Sequence, residues 1–152
     1  MAIEAPVSKF RRNNGKLYII ACMGFAMWLG YDGYFNQKFI EKHSSDGNPD
    51  GTLVFNQKVP IFLIGIAVLL GMQQFVIRNK KLIAGEKELI FSDKDKISYD
   101  SIQQINKTNF KSKGYFLITY KEENGKEVDR KISDRQYDNL EAILDHLVAE
   151  IT

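Results

Sequence analysis

The chain is short of the residue types that most site chemistry needs. It has one cysteine, Cys22, and two histidines, His43 and His146. A lone cysteine excludes an internal disulfide framework, and no Cys/His cluster has metal-ligand spacing. Phosphate-cradling glycine loops, internal repeats and low-complexity tracts are all missing. An excess of one charge is missing too. A net charge of +2 gives no global field for nucleic acid, and no Lys/Arg run beyond short pairs resembles a polyanion-binding face. Asp93, Asp95 and Asp100 fall on a turn and strand edge without ligand-loop spacing, and Glu122, Glu123, Glu127 and Asp129 flank a hairpin tip, so both groups read as solvated charge. His146 sits beside an apolar helical stripe with no serine or cysteine partner, and His43 has no acidic or histidine partner at ligand spacing. The expectation is a protein that is not an enzyme, with no catalytic residue, no metal, no cofactor and no nucleic-acid partner.

What is present is long apolar runs. Val59 to Ile77 passes nineteen residues without a formal charge. As a helix it reaches ~28 Å, close to the ~30 Å hydrocarbon core of a bilayer. Its polar side chains, Gln73 and Gln74, are adjacent and near one end, so it lacks the polar face of a soluble core helix. A second run, Leu17 to Tyr31, is uncharged for fifteen residues and reaches bilayer length when extended through Phe35. Trp28, Tyr31, Tyr34 and Phe35 cluster at its far end and Tyr18 at its near end, as for side chains at headgroup level. Those aromatics stand where a cleavable signal peptide needs small residues. Ile19, Ile20, Ala21 and Cys22 resemble a lipobox, but only five apolar residues separate Lys16 from Cys22, which leaves the cysteine a small inert thiol.

The pattern divides the chain into a flexible basic flank (1–16) with Asn13, Asn14 and Gly15 as helix breakers, a first span (17–35), a loop (36–58), a second span (59–77) and a carboxy-terminal domain (79–152). Turn signals at Asp46-Gly47, Asn48-Pro49 and Asp50-Gly51 mark the loop; Phe39 and Ile40 are expected to prolong the first helix, and Leu53, Val54 and Phe55 either to lie along the membrane surface or to cover the hairpin. Asp32, among terminal aromatics, reads as an interfacial carboxylate. Lys9, Arg11, Arg12, Lys16, Arg78, Lys80 and Lys81 flank the outer ends, against Lys38, Lys42 and Lys58 in the loop. That asymmetry puts both termini in the cytoplasm and the protein in the cytoplasmic (inner) membrane. Ala26 with Gly30, and Ala67 with Gly71, are small residues four apart, and Gly24 and Gly65 add to them. Such spacing lets helix backbones approach, within the hairpin or against another membrane subunit.

From Asn79 the period shortens. Lys80–Ala84, Glu88–Ser92, Lys96–Tyr99, Ile102–Phe110 with a bulge, and Tyr115–Lys121 read as strands, and Asn124-Gly125 is a strong hairpin signal before a return strand carrying Val128, Arg130 and Ile132. Ser133 and Gln136 fit a capping box, with Ile132 and Tyr137 as its staple. Leu140, Ile143, Leu144, Leu147, Val148 and Ile151 then follow helical spacing. Strands followed by one amphipathic helix predict a bent antiparallel sheet or partly open β-barrel capped by that helix. The segments KKLIAGEKELIFS, ISYDSIQQI, GYFLITYKEENGKEVDRKI and YDNLEAILDHLVAEI, in that order, resemble the pleckstrin-homology-like (PH-like) domains of small bacterial membrane proteins. The resemblance covers about half the chain and implies an α+β PH-like domain behind membrane spans. It counts about six strands where the full fold has seven, and the tryptophan typical of the eukaryotic closing helix is absent.

Phosphoinositide-binding relatives carry a basic hairpin whose nearest counterpart here is Lys107, Lys111 and Lys113, which ends in Lys rather than Arg. Residues 79–152 hold 13 Lys and Arg against 14 Asp and Glu, so the domain as a whole does not attract anionic lipid. Arg78, Lys80, Lys81, Lys107, Lys111 and Lys113 are the candidate headgroup contacts. The expected function is a membrane-anchored, non-enzymatic interaction or scaffolding module, with membrane lipids and a membrane protein or a second copy as partners. The alternatives are a peripheral anionic-lipid sensor and an accessory subunit packed through the helical hairpin.

Overall fold

The computed structural model describes residues 2–151. They form two compact units, one comprising the residues up to Arg12 with those from Val76 onward, the other Asn13–Phe75. In chain order the elements are β1 (Ile3–Pro6), α1 (Lys9–Tyr34), α2 (Gln37–Lys42), β2 (Ser44–Ser45), β3 (Asn48–Pro49), α3 (Gly51–Ile77), β4 (Lys81–Ala84) and β5 (Glu88–Ser92). After these come β6 (Asp95–Ser98), a 3-10 turn (Tyr99–Ser101), β7 (Ile102–Asn106), α4 (Phe110–Lys113), β8 (Tyr115–Lys121), β9 (Glu127–Ser133) and α5 (Leu140–Ile151).

The first unit is mixed α/β with antiparallel sheets. A four-stranded sheet runs β1-β4-β5-β6 and a three-stranded sheet β7-β8-β9. Alternation decides which face is buried: Leu82, Leu89, Phe116, Ile118 and Ile132 point inward and are fully covered. α5 supplies Leu140, Ile143, Leu144 and Leu147 from its apolar stripe. Burial is worth about 1.5–3 kcal/mol for each such side chain, so the helix closes the sheets rather than decorating them. The bulge expected after Ile102 lies between Ile102 and Gln104, and the hairpin turns at Gly125 with φ 81°.

The amino-terminal flank differs from the flexible segment expected. Ile3 to Pro6 pair with β4, and Ala5, Val7 and Ser8 are buried. α1 then starts at Lys9 and passes through Asn13, Asn14 and Gly15 without a break. A mid-helix Gly costs about 1 kcal/mol relative to Ala, which tertiary contact outweighs here. Gly15 is buried, and a β-carbon there would collide with the Gln74 side-chain amide.

The capping box also gives way. Ser133 ends β9 and closes a turn instead, accepting from the N–H of Gln136 at 2.8 Å and Tyr137 at 3.1 Å, while Tyr137 bridges to Val7. α5 begins at Leu140, after Asn139 at φ 60°. The last predicted strand segment, Lys107–Phe110, leaves the sheet and leads into α4, whose end is the left-handed Gly114 at φ 68°.

In the second unit the twenty-residue loop is mostly structured. Asn36 caps α2 through Phe39 N–H at 3.3 Å, so Phe39 and Ile40 sit in a separate short helix. Asp46 and Gly47, both at positive φ, turn the two-residue ribbon β2–β3. Asp50 Oδ1 accepts from Leu53 N–H at 2.9 Å and starts α3 eight residues before Val59. Leu53 to Phe55 are therefore helical. The uncharged window marked only the apolar part of the helix, because Lys58 interrupts it. By length and composition α3 is the one described helix able to cross a membrane. α1 is less apolar over a comparable length, its uncharged stretch between Lys16 and Asp32 being fifteen residues.

Candidate functional site

Three sets of side chains bear on function, beginning with the faces of α1 and α3. Among the covered positions of α3, Leu53, Asn56, Pro60, Leu63, Ala67, Leu70 and Gln74 recur every three or four residues, and among those of α1 so do Gly15, Ile19, Cys22, Ala26, Gly30 and Gly33. That spacing is the alternating three-and-four step that keeps one helix face covered. At one end Gly33 abuts the backbone of Asn56, Gln57 Nε2 donates to Gly33 O at 3.0 Å, and Tyr34 OH donates to Gln57 O at 2.8 Å. Pro60 has no N–H, so the Asn56 carbonyl four residues earlier lacks its helical donor and is free to lie against Gly33. Of the small residues singled out in the sequence, Ala26 and Ala67 are 4% and 5% exposed and Gly30 faces Pro60, whereas Gly24, Gly65 and Gly71 have open space where a β-carbon would go. The opposite faces are apolar and bare: Ile20 is 68% exposed, Phe62 70% and Phe75 77%.

The second set consists of titratable groups given over to structure. His43 Nδ1 lies 2.8 Å from Asp50 Oδ2, contrary to the unpartnered reading, because the β2–β3 ribbon folds residue 50 back onto residue 43. The Leu53 N–H, and then His43, hold the Asp50 carboxyl below the usual carboxylate range. Asp32 accepts from Asn36 Nδ2 at 2.8 Å. His146 Nε2 lies 3.0 Å from the Gly85 carbonyl, which also accepts from Tyr99 OH at 2.8 Å. A carbonyl only accepts, so Nε2 carries the proton and His146 pins α5 to the β4–β5 turn. Burial pushes the Tyr99 hydroxyl up to about 12.

Arg130 grips Asp95 through both terminal nitrogens, at 2.7 and 2.6 Å, with its guanidinium 3.5 Å above the Phe91 ring. Its hydrogen bonds hold the Asp95 carboxyl low. A depressed carboxylate stabilises the fold above its unfolded pKa of about 3.9, and the contribution fades as pH falls through the lower folded value. The urea midpoint should accordingly be flat between about pH 7 and 5 and drop below about pH 4. Arg130→Met, which keeps the contact with Phe91, should remove part of that drop; an unchanged acid profile would show that the pair contributes nothing.

The third set lines a cleft of about 670 Å³ formed by α4, the start of β8 and the end of β9. Lys111, Lys113, Lys131 and Arg135 line it with one carboxylate, Asp134. Two of the residues expected to meet headgroups, Lys111 and Lys113, are here. Arg78, Lys80 and Lys107 are exposed elsewhere, and Lys81 pairs with Glu4. Lys131 and Arg135 escaped sequence reasoning because they reach the cleft through pairing: Leu117 faces Lys131 and Tyr115 faces Ser133. Among the described residues no set of His, Cys, Asp and Glu is grouped for a metal ion. Comparison with protein-family models, curated proteins and solved structures finds no match to this chain.

Proposed function

We propose that the chain is a two-span membrane hairpin carrying a PH-like interaction module at the cytoplasmic face of a bacterial inner membrane. The observation that carries this reading is the pairing of β1 with β4 on either side of the helices. Residues before Arg12 and after Val76 share one folded unit, so the segment between them leaves and returns on the same side. A chain with that constraint crosses a bilayer an even number of times. If α3 crosses, α1 must cross as well, and its bare apolar face supports that. Asp32, with its Asn36 contact, then lies at the far interface beside Tyr31 and Tyr34.

The strand count favours the PH-like reading. Six strands after the helices join β1 to make seven, split four and three and closed by α5. On this reading β1, ahead of the helices, supplies the seventh strand. His43, His146, Tyr99, Asp50 and Asp95 are all committed to structural bonds, which favours a binding role over catalysis. The open edges β6, β7 and β9 offer sites for strand addition by a partner.

Sidedness is testable in intact cells. With Cys22 replaced by Ser, a cysteine placed at Ser45 should react with a membrane-impermeant maleimide and one placed at Ser112 should not, while the protein stays in the membrane pellet through alkaline carbonate. Labelling at Ser112 alone would invert the topology. Release by carbonate would remove the anchor.

A further inference from the structure

We infer that Asn124 is a site of spontaneous covalent modification, in which its side-chain amide passes through a cyclic imide with the Gly125 nitrogen to become aspartate or isoaspartate. The chemistry does not depend on the membrane reading. Two Asn-Gly pairs stand in the chain on equal terms, Asn14-Gly15 and Asn124-Gly125, each followed by lysine. Glycine has no β-carbon, so its backbone nitrogen is open to the side-chain carbonyl of the residue before it. The fold decides which pair reacts.

Asn14 is held away from the reaction. It lies half-buried in α1, where the Cα–Cβ bond tilts toward the helix amino terminus and carries the amide away from the nitrogen that follows. The Gly15 N–H belongs to the helical ladder, and Gly15 itself is buried against Gln74. Asn124 and Gly125, by contrast, are exposed where β8 turns into β9, and nothing lies within 4 Å of the place a Gly125 β-carbon would take. The Asn124 amide is already folded onto the turn: Oδ1 accepts from Lys126 N–H at 2.8 Å, and Nδ2 donates to Glu122 Oε2 at 3.1 Å. One bond has to open first, that from Gly125 N–H to Glu122 O at 2.8 Å. At an exposed hairpin tip such local opening costs little.

In the first step the Gly125 nitrogen bonds to Asn124 Cγ, negative charge develops on Oδ1, and the Lys126 N–H is already aimed at that oxygen. The Cγ–Nδ2 bond then breaks, and Nδ2 leaves as ammonia with the proton given up by the Gly125 nitrogen. Water opens the imide at either carbonyl. Opening at Cγ leaves aspartate, and opening at the main-chain carbonyl leaves isoaspartate, with the chain now running through Cγ. Nothing is oxidised or reduced, and water is the one co-reactant. Either product alters the tip, because a carboxylate at residue 124 cannot donate to Glu122 and repels it. Isoaspartate also adds a backbone carbon inside the turn that Glu122 N–H closes on Lys126 O at 2.9 Å. The same tip lines a cleft of about 680 Å³ with Lys94, Lys96 and Ser98 of the β6 side, so the modification adds negative charge there.

The test ages the full-length chain in a neutral detergent at mildly alkaline pH. Peptide mass spectrometry follows the amide-to-acid mass gain at each Asn-Gly pair, and isoaspartyl methyltransferase labelling counts the isoaspartate. Product at Asn124 should accumulate about tenfold faster than at Asn14, or more, since opening a helix interior costs more than opening a tip. Short synthetic peptides carrying each pair supply the unfolded rates, which should agree with one another. Asn14→Gln should leave the isoaspartate label in place, and Asn124→Gln should remove it. Equal rates at the two pairs in the folded chain overturn the inference. So does an Asn124 that stays intact while its peptide converts, and so do peptide rates as far apart as those in the protein, which would assign the difference to local sequence.

Discussion

Residues 79–152 expressed alone should fail to hold a stable fold, whereas residues 1–12 joined by a flexible linker of about ten residues to 76–152 should give a soluble, cooperatively folding protein. By sequence the fragment has the parts of a self-sufficient fold, six strands and the amphipathic helix. It lacks β1. Without it β4 becomes an exposed edge, and its inward residues Leu82 and Ala84 lose the cover of Ala5 and Val7, all four of them now buried. The turn before α5 loses support as well, because Pro6 O accepts from Asp138 N–H at 2.9 Å, and Gln136 O accepts from Ser8 N–H at 3.0 Å. Losing Val7 costs about 1.5–3 kcal/mol. Several backbone bonds at about 0.5–1.5 kcal/mol each bring the sum to about 5 kcal/mol. Small domains have about 5–15 kcal/mol in total, so the loss is decisive. Urea unfolding followed by circular dichroism distinguishes the two polypeptides, and equal midpoints would show that β1 is dispensable. The fusion also bears on the membrane reading, because it keeps the whole sheet unit and omits only the segment assigned to lipid.

What could be read in the sequence divides along the range of the forces involved. β5 and β8 were placed to the residue, and the α5 stripe was correct at Leu140, Ile143, Leu144 and Leu147, because alternation and helical spacing record burial locally. β1 was invisible. Four residues, Ile-Glu-Ala-Pro, carry no periodic signal, and they become a strand only beside a partner some eighty residues away, where Ile3 meets Ala84. The starts of α1 and α3 were misplaced for a related reason: charge marks where a helix meets water, and hydrogen bonding, here the cap by Asp50, marks where it begins. Lys111 and Lys113 are neighbours in sequence. Their fellow cations Lys131 and Arg135 lie across a strand pair, so the cleft exists only in three dimensions.

The glycines of the helix pair should separate into two classes by substitution with alanine. At Gly33 an added β-carbon would lie 2.7 Å from Asn56 O, 2.8 Å from Asn56 C and 3.0 Å from Gln57 N. These are backbone atoms, so a side-chain rotation cannot relieve the clash and the helices must part. Separation stretches the Gln57 bond to Gly33 O and the Tyr34 bond to Gln57 O. It also strands the Asn56 carbonyl, which Pro60 already deprives of a helical donor. Overpacking at about 1–3 kcal/mol and two weakened bonds at about 0.5–1.5 kcal/mol each give an expected loss of about 2–6 kcal/mol for Gly33→Ala. At Gly24 and Gly65 nothing lies within 4 Å of the added carbon. There alanine should be neutral or stabilise the helix by up to about 1 kcal/mol. Thermal unfolding of the full chain in detergent, followed by tryptophan fluorescence of Trp28, ranks the variants, and a Gly33→Ala protein as stable as Gly24→Ala would dissolve the seam described here. Gly71 also has open space beside it, so Gly71→Leu fits within a single chain. If that variant unfolds normally yet no longer co-purifies with whatever the wild type retains, the outward face of α3 meets a protein. If co-purification persists, that face meets lipid, and recognition belongs to the sheet unit.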